Sequence, residues 1–261
     1  MQRIVLGHIW IDRLKMNEVV DLINMMVSQK KERPAHIVTV NAQFIQIARR
    51  EPRFADIIRH ADLCVADGVS LVWASRLLGN ALPERVNGTD LMVELCKTAA
   101  ANGSTVYFLG GRPGAADHAA QLLRSTFSSL KIVGIDCPSY GFAQDGSLDS
   151  EVSNRIELAK PDILFVGLGA PKQEYWIEQH SNLAAKVMIG IGGSFELIAG
   201  FVKRAPLFVQ KLGCEWLWRL CMEPGRLWKR YLDGNAVFIY IVIRQWMQHW
   251  YLGYQNLQER D

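Results

Sequence analysis

Residues 162–173 read DILFVGLGAPKQ. The stretch Ile163–Gly167 is apolar at consecutive positions rather than at alternate ones. Such a run suits a strand buried on both faces, as in a parallel sheet covered by helices on both sides. A short glycine-bearing loop follows, and a helical pattern then runs from Gln173 to His180. Working outward, the same unit recurs. Strands are predicted at Arg3–Ile11, His36–Val40, Leu63–Ala66, Thr105–Leu109, Lys131–Ile135, Ile163–Gly167 and Val187–Ile191. Between them lie helical patterns at Glu18–Lys31, Gln43–Arg50, Arg53–His60, Leu71–Leu78, Asp90–Ala101, Ala115–Phe127 and Asp149–Leu158. Alternating β and α segments predict a Rossmann-like α/β fold: a mostly parallel sheet with helices on both faces.

The alternation stops after Gly200. From there the chain reads as helices interrupted by Pro and Gly, which predicts an α/β body over residues 1–200 and a helical C-terminal appendage over 201–261. The chain carries a formal charge of only +3, which gives no reason to expect nucleic acid. The charge is unevenly placed, with eight basic residues against three acidic ones between Lys203 and Arg244. Five of the eight tryptophans also lie beyond residue 215. A basic, Trp-rich, apolar segment too short to span a bilayer predicts an appendage that lies on an anionic membrane surface. The competing expectation is a helix packed on the body or on another subunit, and self-association is left open.

The start, MQRIVLGHIWID, lacks the apolar core and cleavage site of a secretory signal, and the longest apolar run, Ala236–Ile243, is too short to cross a membrane. Five cysteines without CxxC spacing read as buried thiols of a reducing compartment. The expected location is therefore cytoplasmic, peripheral on the inner face of the cell membrane.

In open α/β sheets ligands bind beyond the carboxyl ends of the strands. The informative residues are thus Thr39-Val40-Asn41, Asp67-Gly68, Gly110–Gly114, Gly167–Gln173 and Gly190–Ser194. Glycine permits close backbone approach, and a helix start offers N–H groups to an anion. Gly110, Gly111 and Gly169, in two such loops, are candidates to hold a diphosphate; ordinary turn chemistry is the alternative. Asp67 is a candidate general base, its alternative role being to cap the helix that begins near Val69. Thr39 and Asn41 can hydrogen-bond a sugar or close a strand end. Arg85, Arg112, Lys172, Arg219, Arg226 and Arg230 are available to meet phosphate charge.

No GxGxxG or P-loop occurs, which disfavours nicotinamide cofactors and ATP. No DxD, HxH or HExxH offers a metal site, so neither a metal nor a cofactor is expected. The reading from residues alone keeps open a non-catalytic sugar-nucleotide binder and a nucleotide-cofactor oxidoreductase.

The stretches HIVTVNAQF, LCVADGVSLVWASRLLG, ERVNGTDLM, VYFLGGRPG, LFVGLGAPKQEYWI, IGIGGSFELIAGFVKRAPLFVQKLGCEWLWRL and EPGRLWKR cover residues 36–230 in order. Together they resemble the WecG/TagA/CpsF glycosyltransferases. The resemblance implies inverting, metal-independent transfer of a sugar (ManNAc, ManNAcA or glucose) from a UDP-sugar donor to a polyprenyl-diphosphate-linked sugar acceptor in cell-surface polysaccharide synthesis. It implies Asp67 as the base and places Thr39, Asn41, Arg85 and Gln173 in the pocket. It also implies that Arg219, Arg226 and Arg230 help the appendage close the site. In the ERVNG block Asn87 departs from the Ala or Pro the resemblance leads one to expect, which raises a different donor sugar as an explanation.

Overall fold

The computed structural model describes residues 2–29, 32–139, 141–206, 209, 215–222, 225 and 236–248. Strands β3 (Ala35–Val40), β4 (Leu63–Ala66), β5 (Thr105–Gly110), β6 (Lys131–Asp136), β7 (Ile163–Gly167) and β8 (Val187–Gly190) form one sheet in the order β4-β3-β8-β7-β5-β6. Every pairing in it is parallel. The α/β expectation is borne out, and the run 163–167 is a central strand between β5 and β8.

Helices α1 (Met16–Ser28), α5 (Gly88–Asn102), α6 (Ala115–Thr126) and α9 (Ser194–Ile198) cover one face, where Ile37, Val65, Phe108, Phe165 and Ile189 point. Helices α2 (Ala42–Arg50), α3 (Pro52–His60), α4 (Val69–Leu77), α7 (Gly146–Ala159) and α8 (Lys172–Gln179) cover the other. Successive strand residues point to opposite faces, so a strand apolar at every position feeds both cores. Local signals start and stop the helices: Asn41, Asn87 and Asp145 cap α2, α5 and α7 by accepting from backbone N–H groups, and Gly103 ends α5 at φ +75°.

The expected first strand, Arg3–Ile11, is a correction. It is a hairpin, β1 (Arg3–Leu6) and β2 (Ile9–Asp12), folded back at Gly7-His8 into a separate antiparallel sheet. Its inner residues Ile4, Leu6, Ile9 and Ile11 are buried. Asp12 is also buried; it accepts from Arg3 Nε at 2.8 Å and from the Cys64 backbone N–H at 2.9 Å, tying the hairpin to β4.

Beyond the body, α10 (Glu215–Met222) and residues 236–248 are helical. The latter helix buries Phe238 and Val242 in the core beside the hairpin. Its Gln245 donates to Val5 O at 2.8 Å and accepts from Gly7 N at 3.1 Å. Ile239, Tyr240, Ile243, Trp246 and Met247 remain exposed. One face of this helix is thus packed on the body and the other is apolar and open.

Candidate active site

Strands β3 and β8 are neighbours, yet the helix after β3 lies on one face of the sheet and the helix after β8 on the other. Chain segments diverge there, and a crevice opens at the carboxyl edge. On its β3–β4 side stand Thr39 and Asp67. Helix α5 points its first turn at both: a Cβ built on Gly88 would lie 3.5 Å from Thr39 Oγ1 and 3.7 Å from Asp67 Oδ2. Fifteen residues of aligned peptide dipoles stand behind that turn, a setting that favours negative charge, whether carboxylate or ligand phosphate. Asp67 is half-buried, and its backbone N–H donates to Val40 O at 2.7 Å.

Thr39 is buried and donates its hydroxyl to Gly190 O at 2.8 Å, so it ties β3 to the end of β8. Asn41 is the N-cap of α2 and accepts from Gln43 N at 3.0 Å. The buried Asn87 caps α5, accepting from Thr89 N at 2.7 Å and from Asp90 N at 3.3 Å. Thr89 in turn donates to Ser194 Oγ at 3.0 Å, joining the starts of α5 and α9. The oxygen of Asn87 is thus occupied in starting the helix that faces Asp67, a sufficient local reason for Asn at this position.

Arg85 immediately precedes this region, and its Nη1 pairs with Glu215 of α10 at 2.8 Å. The side chains are 19% and 12% exposed, so this pair is sheltered and couples the C-terminal region to the crevice. Nearby, Arg204 Nη2 contacts both carboxylate oxygens of Asp90 at 2.6 and 2.7 Å. Trp218 Nε1 donates to Lys203 O at 3.1 Å.

The other half of the rim is backbone. Gly110, at φ +97°, approaches β7 so closely that a Cβ would sit 2.8 Å from Gly167 O. Several N–H groups in these loops are committed inside the protein: Gly111 N to Gly167 O at 3.0 Å, and Arg112 N to Glu196 Oε1 at 2.9 Å. Gly169 N and Gly192 N both donate to the single oxygen Gln173 Oε1, at 3.1 and 3.0 Å. Gln173 is 1% exposed, and its Nε2 donates to Glu174 Oε1 at 2.7 Å. Burial raises the Glu174 carboxyl to about 7, opposed by the Gln173 amide and its own backbone N–H. The glycine loops therefore converge as expected, but by packing on one another.

Of the site residues expected from sequence, Thr39 and Asp67 meet at one point, faced by the start of α5, which the sequence reading did not single out. Lys172 is exposed at the start of α8, and Gln173 lies beneath the loops. Arg219 lies on α10; Arg226 and Arg230 fall outside the described residues. Sequence reading overlooked Glu174 and Glu215, since a Glu in the first turn of a helix ordinarily reads as a surface complement to the dipole. The capping role of Asn87 was also missed, the helix being expected from Asp90, although Asn before a helix with Asp three positions on is a helix-start signal. Among the described residues no three His, Cys, Asp or Glu side chains gather as a metal cluster. No described helix is long and apolar enough to cross a membrane.

A doubly wound parallel sheet with a carboxylate facing a helix start at its diverging strand ends defines a ligand-handling α/β protein. Comparison with known sequences makes the class particular. The profile of the Glycosyl transferase WecG/TagA/CpsF family matches residues 4–251, and the chain belongs to that family of glycosyltransferases. It is 35% identical over 240 residues to the N-acetylglucosaminyldiphosphoundecaprenol N-acetyl-beta-D-mannosaminyltransferase of Staphylococcus aureus strain MRSA252, covering 89% of each chain. The proteins of the same name from strains MW2 and NCTC 8325 are 35% and 34% identical over the same length and coverage. The resemblance read from the sequence blocks is thereby borne out.

Proposed function

We propose that this glycosyltransferase moves an N-acetylmannosamine-type sugar from a UDP-sugar to N-acetylglucosaminyl-diphosphoundecaprenol, an early step in building a cell-surface polysaccharide. The relatives' names supply the acceptor and the transferred sugar. The observation that carries the chemistry is the meeting of Asp67, Thr39 and the first turn of α5. Asp67 accepts the proton of the acceptor hydroxyl. That oxygen bonds to the anomeric carbon as the bond to the UDP oxygen breaks, in a single displacement with inversion through an oxocarbenium-like transition state. The leaving diphosphate is met by the positive end of the α5 dipole and by Arg85, with Lys172 and the Gly110-Gly111 and Gly169 loops lining the donor side. Asn41, beside Gly68 and 3.8 Å from a Cβ built there, serves the acceptor side in this reading. Arg219, Arg226 and Arg230 complete the charge from the C-terminal side.

The active chain works bound to an anionic membrane surface on the cytoplasmic side. Residues 201–261 form the docking region, supported by their basic balance and by the open face Ile239, Tyr240, Ile243, Trp246 and Met247. Val5 and Trp10, cross-strand partners on the outer side of the hairpin that this helix grips, extend the apolar surface.

The test is incubation of the full chain with a panel of UDP-sugars and a polyprenyl-diphosphate-linked N-acetylglucosamine, with EDTA in parallel. Transfer from UDP-N-acetylmannosamine that survives EDTA is expected. UDP binding without transfer to any acceptor would reduce the protein to a binding module. Loss of activity in EDTA with recovery in Mg²⁺ or Mn²⁺ would replace the metal-free mechanism.

A further inference from the structure

Glu174 touches neither crevice nor solvent, yet it is the most unusual ionisable group of the body. It is fully buried, its Oε2 makes no hydrogen bond among the described residues, and its Oε1 receives the Gln173 amide. A buried carboxyl with an idle oxygen is expensive to keep and persists where it secures something else. What it can secure is the orientation of an amide. The Gln173 side chain is symmetric in shape but not in chemistry: its oxygen accepts from Gly169 N and Gly192 N, while its nitrogen donates to Glu174. Turned over, the amide would set NH₂ against two N–H donors. An acceptor at the position of Glu174 Oε1 reinforces the useful orientation by giving the NH₂ its partner.

The two loops so joined follow different strands, the neighbours β7 and β8, and form the β8 side of the point where the chain diverges. The contact extends a step further. A Cβ on Gly190 would overlap the Gln173 amide and lie 2.8 Å from Glu174 Oε1, so the pair packs flat against the last residue of β8. The carbonyl of that residue holds the Thr39 hydroxyl. A chain of contacts therefore runs from Glu174 through Gln173 to both glycine loops, and through Gly190 to Thr39.

We propose that Glu174 is a positioning residue for the transfer: it fixes the Gln173 amide, which clamps the Gly169 and Gly192 loops into one rigid wall of the crevice. This rests on the crevice being the reaction site, and the experiment separates the two ideas. Hydrogen exchange on the wild-type chain comes first and needs no variant. Gly169 and Gly192 N–H share one acceptor, so both are expected to be protected and to exchange together; free-loop exchange at either overturns the clamp.

Glu174→Gln keeps an acceptor for Gln173 Nε2, whereas Glu174→Met fills similar space without one. In Glu174→Met both loops are expected to exchange at least about tenfold faster, with α7 unchanged. Its kcat should fall roughly tenfold, the scale of a lost buried hydrogen bond. Glu174→Gln should stay within about threefold of wild type in both readouts. Wild-type exchange in Glu174→Met, or equal impairment of the two variants, overturns the role. A wild-type chain that transfers no sugar defeats the functional reading while the exchange measurements still decide the clamp.

Discussion

Where β3 and β4 end, the rim of the sheet is made of side chains: a carboxylate, a hydroxyl and a capped helix start. Where β5, β7 and β8 end, it is made of backbone, with glycines packed against carbonyls and two N–H groups gathered on one buried amide. The first half places reactive groups and tolerates shape changes around them. The second half holds shape, with Lys172 exposed beside its clamp. Substitutions should therefore differ in their main effect, those of the reactive side chains on the β3–β4 side acting on rate directly and those on the β5–β8 side acting through fit and stability.

The largest expected effect lies on the reactive half. Asp67→Asn keeps the shape and removes the proton acceptor. Turnover is expected to fall at least ~10²-fold with unchanged melting and UDP affinity, the usual scale for a general base. Near-normal turnover would take Asp67 out of the mechanism and dissolve the division at its strongest point.

On the structural half, Glu174 gives a pH signature. Its carboxyl is raised by burial from 4.5 to about 7, so the folded chain holds that proton more tightly than the unfolded chain. Between these values the folded state carries more bound proton, and stability falls as pH rises through the window. The penalty is absent below the lower value and complete above the upper one. Glu174→Gln removes the titration and should be more stable than wild type by about 3 kcal/mol above the window, at ~1.4 kcal/mol per unit, with the gap closing below it. A gap that does not change with pH, followed by chemical denaturation, would show that the burial of Glu174 is not as described.

Gly110→Ala sharpens the same half. The added Cβ enters the left-handed region at φ +97° and meets Gly167 O at 2.8 Å. A loss of about 2 kcal/mol is expected, combining backbone strain with displacement of β5 from β7. Transfer at a temperature well below the melting point should be reduced through donor KM more than through kcat.

The unequal halves also explain what the sequence made legible. Consecutive apolar residues announced the inner parallel strands, which are buried on both faces, whereas the edge strand β6 is only partly buried. The hairpin was hidden within Arg3–Ile11 because the turn is only two residues long, Gly7-His8, and both flanks are apolar. Asp67 and Thr39 could be picked out because strand-end position carries meaning in this fold. Gln173 and Glu174 could not be sorted by position. Adjacent residues at the start of a helix ordinarily face solvent, and only the close approach of β8 at Gly190 puts both beneath the rim. The pairing of Arg85 with Glu215 spans 130 positions and leaves no local trace.

The smallest expected effect decides a point that bears on both halves. Asn87 departs from the residue expected at its place, and a departure beside the crevice invites a reading as donor selectivity. The geometry gives it other work: its oxygen accepts from Thr89 N and Asp90 N, and the side chain is buried at 8% exposure. Replacing an Asn cap by Ala typically removes about 1 kcal/mol of stability, because two helix N–H groups lose their partner. Asn87→Ala should therefore lower the melting temperature by a few degrees, as ~1 kcal/mol does in a domain of this size. Its ranking of UDP-sugar donors should match that of wild type, since the cap orients the start of α5 without meeting the sugar ring. Turnover should drop only slightly, through looser placement of the start of α5 against the diphosphate. If the melting temperature holds and the donor ranking changes instead, Asn87 reads the sugar, and the reactive half of the rim extends one residue further than the hydrogen bonds indicate.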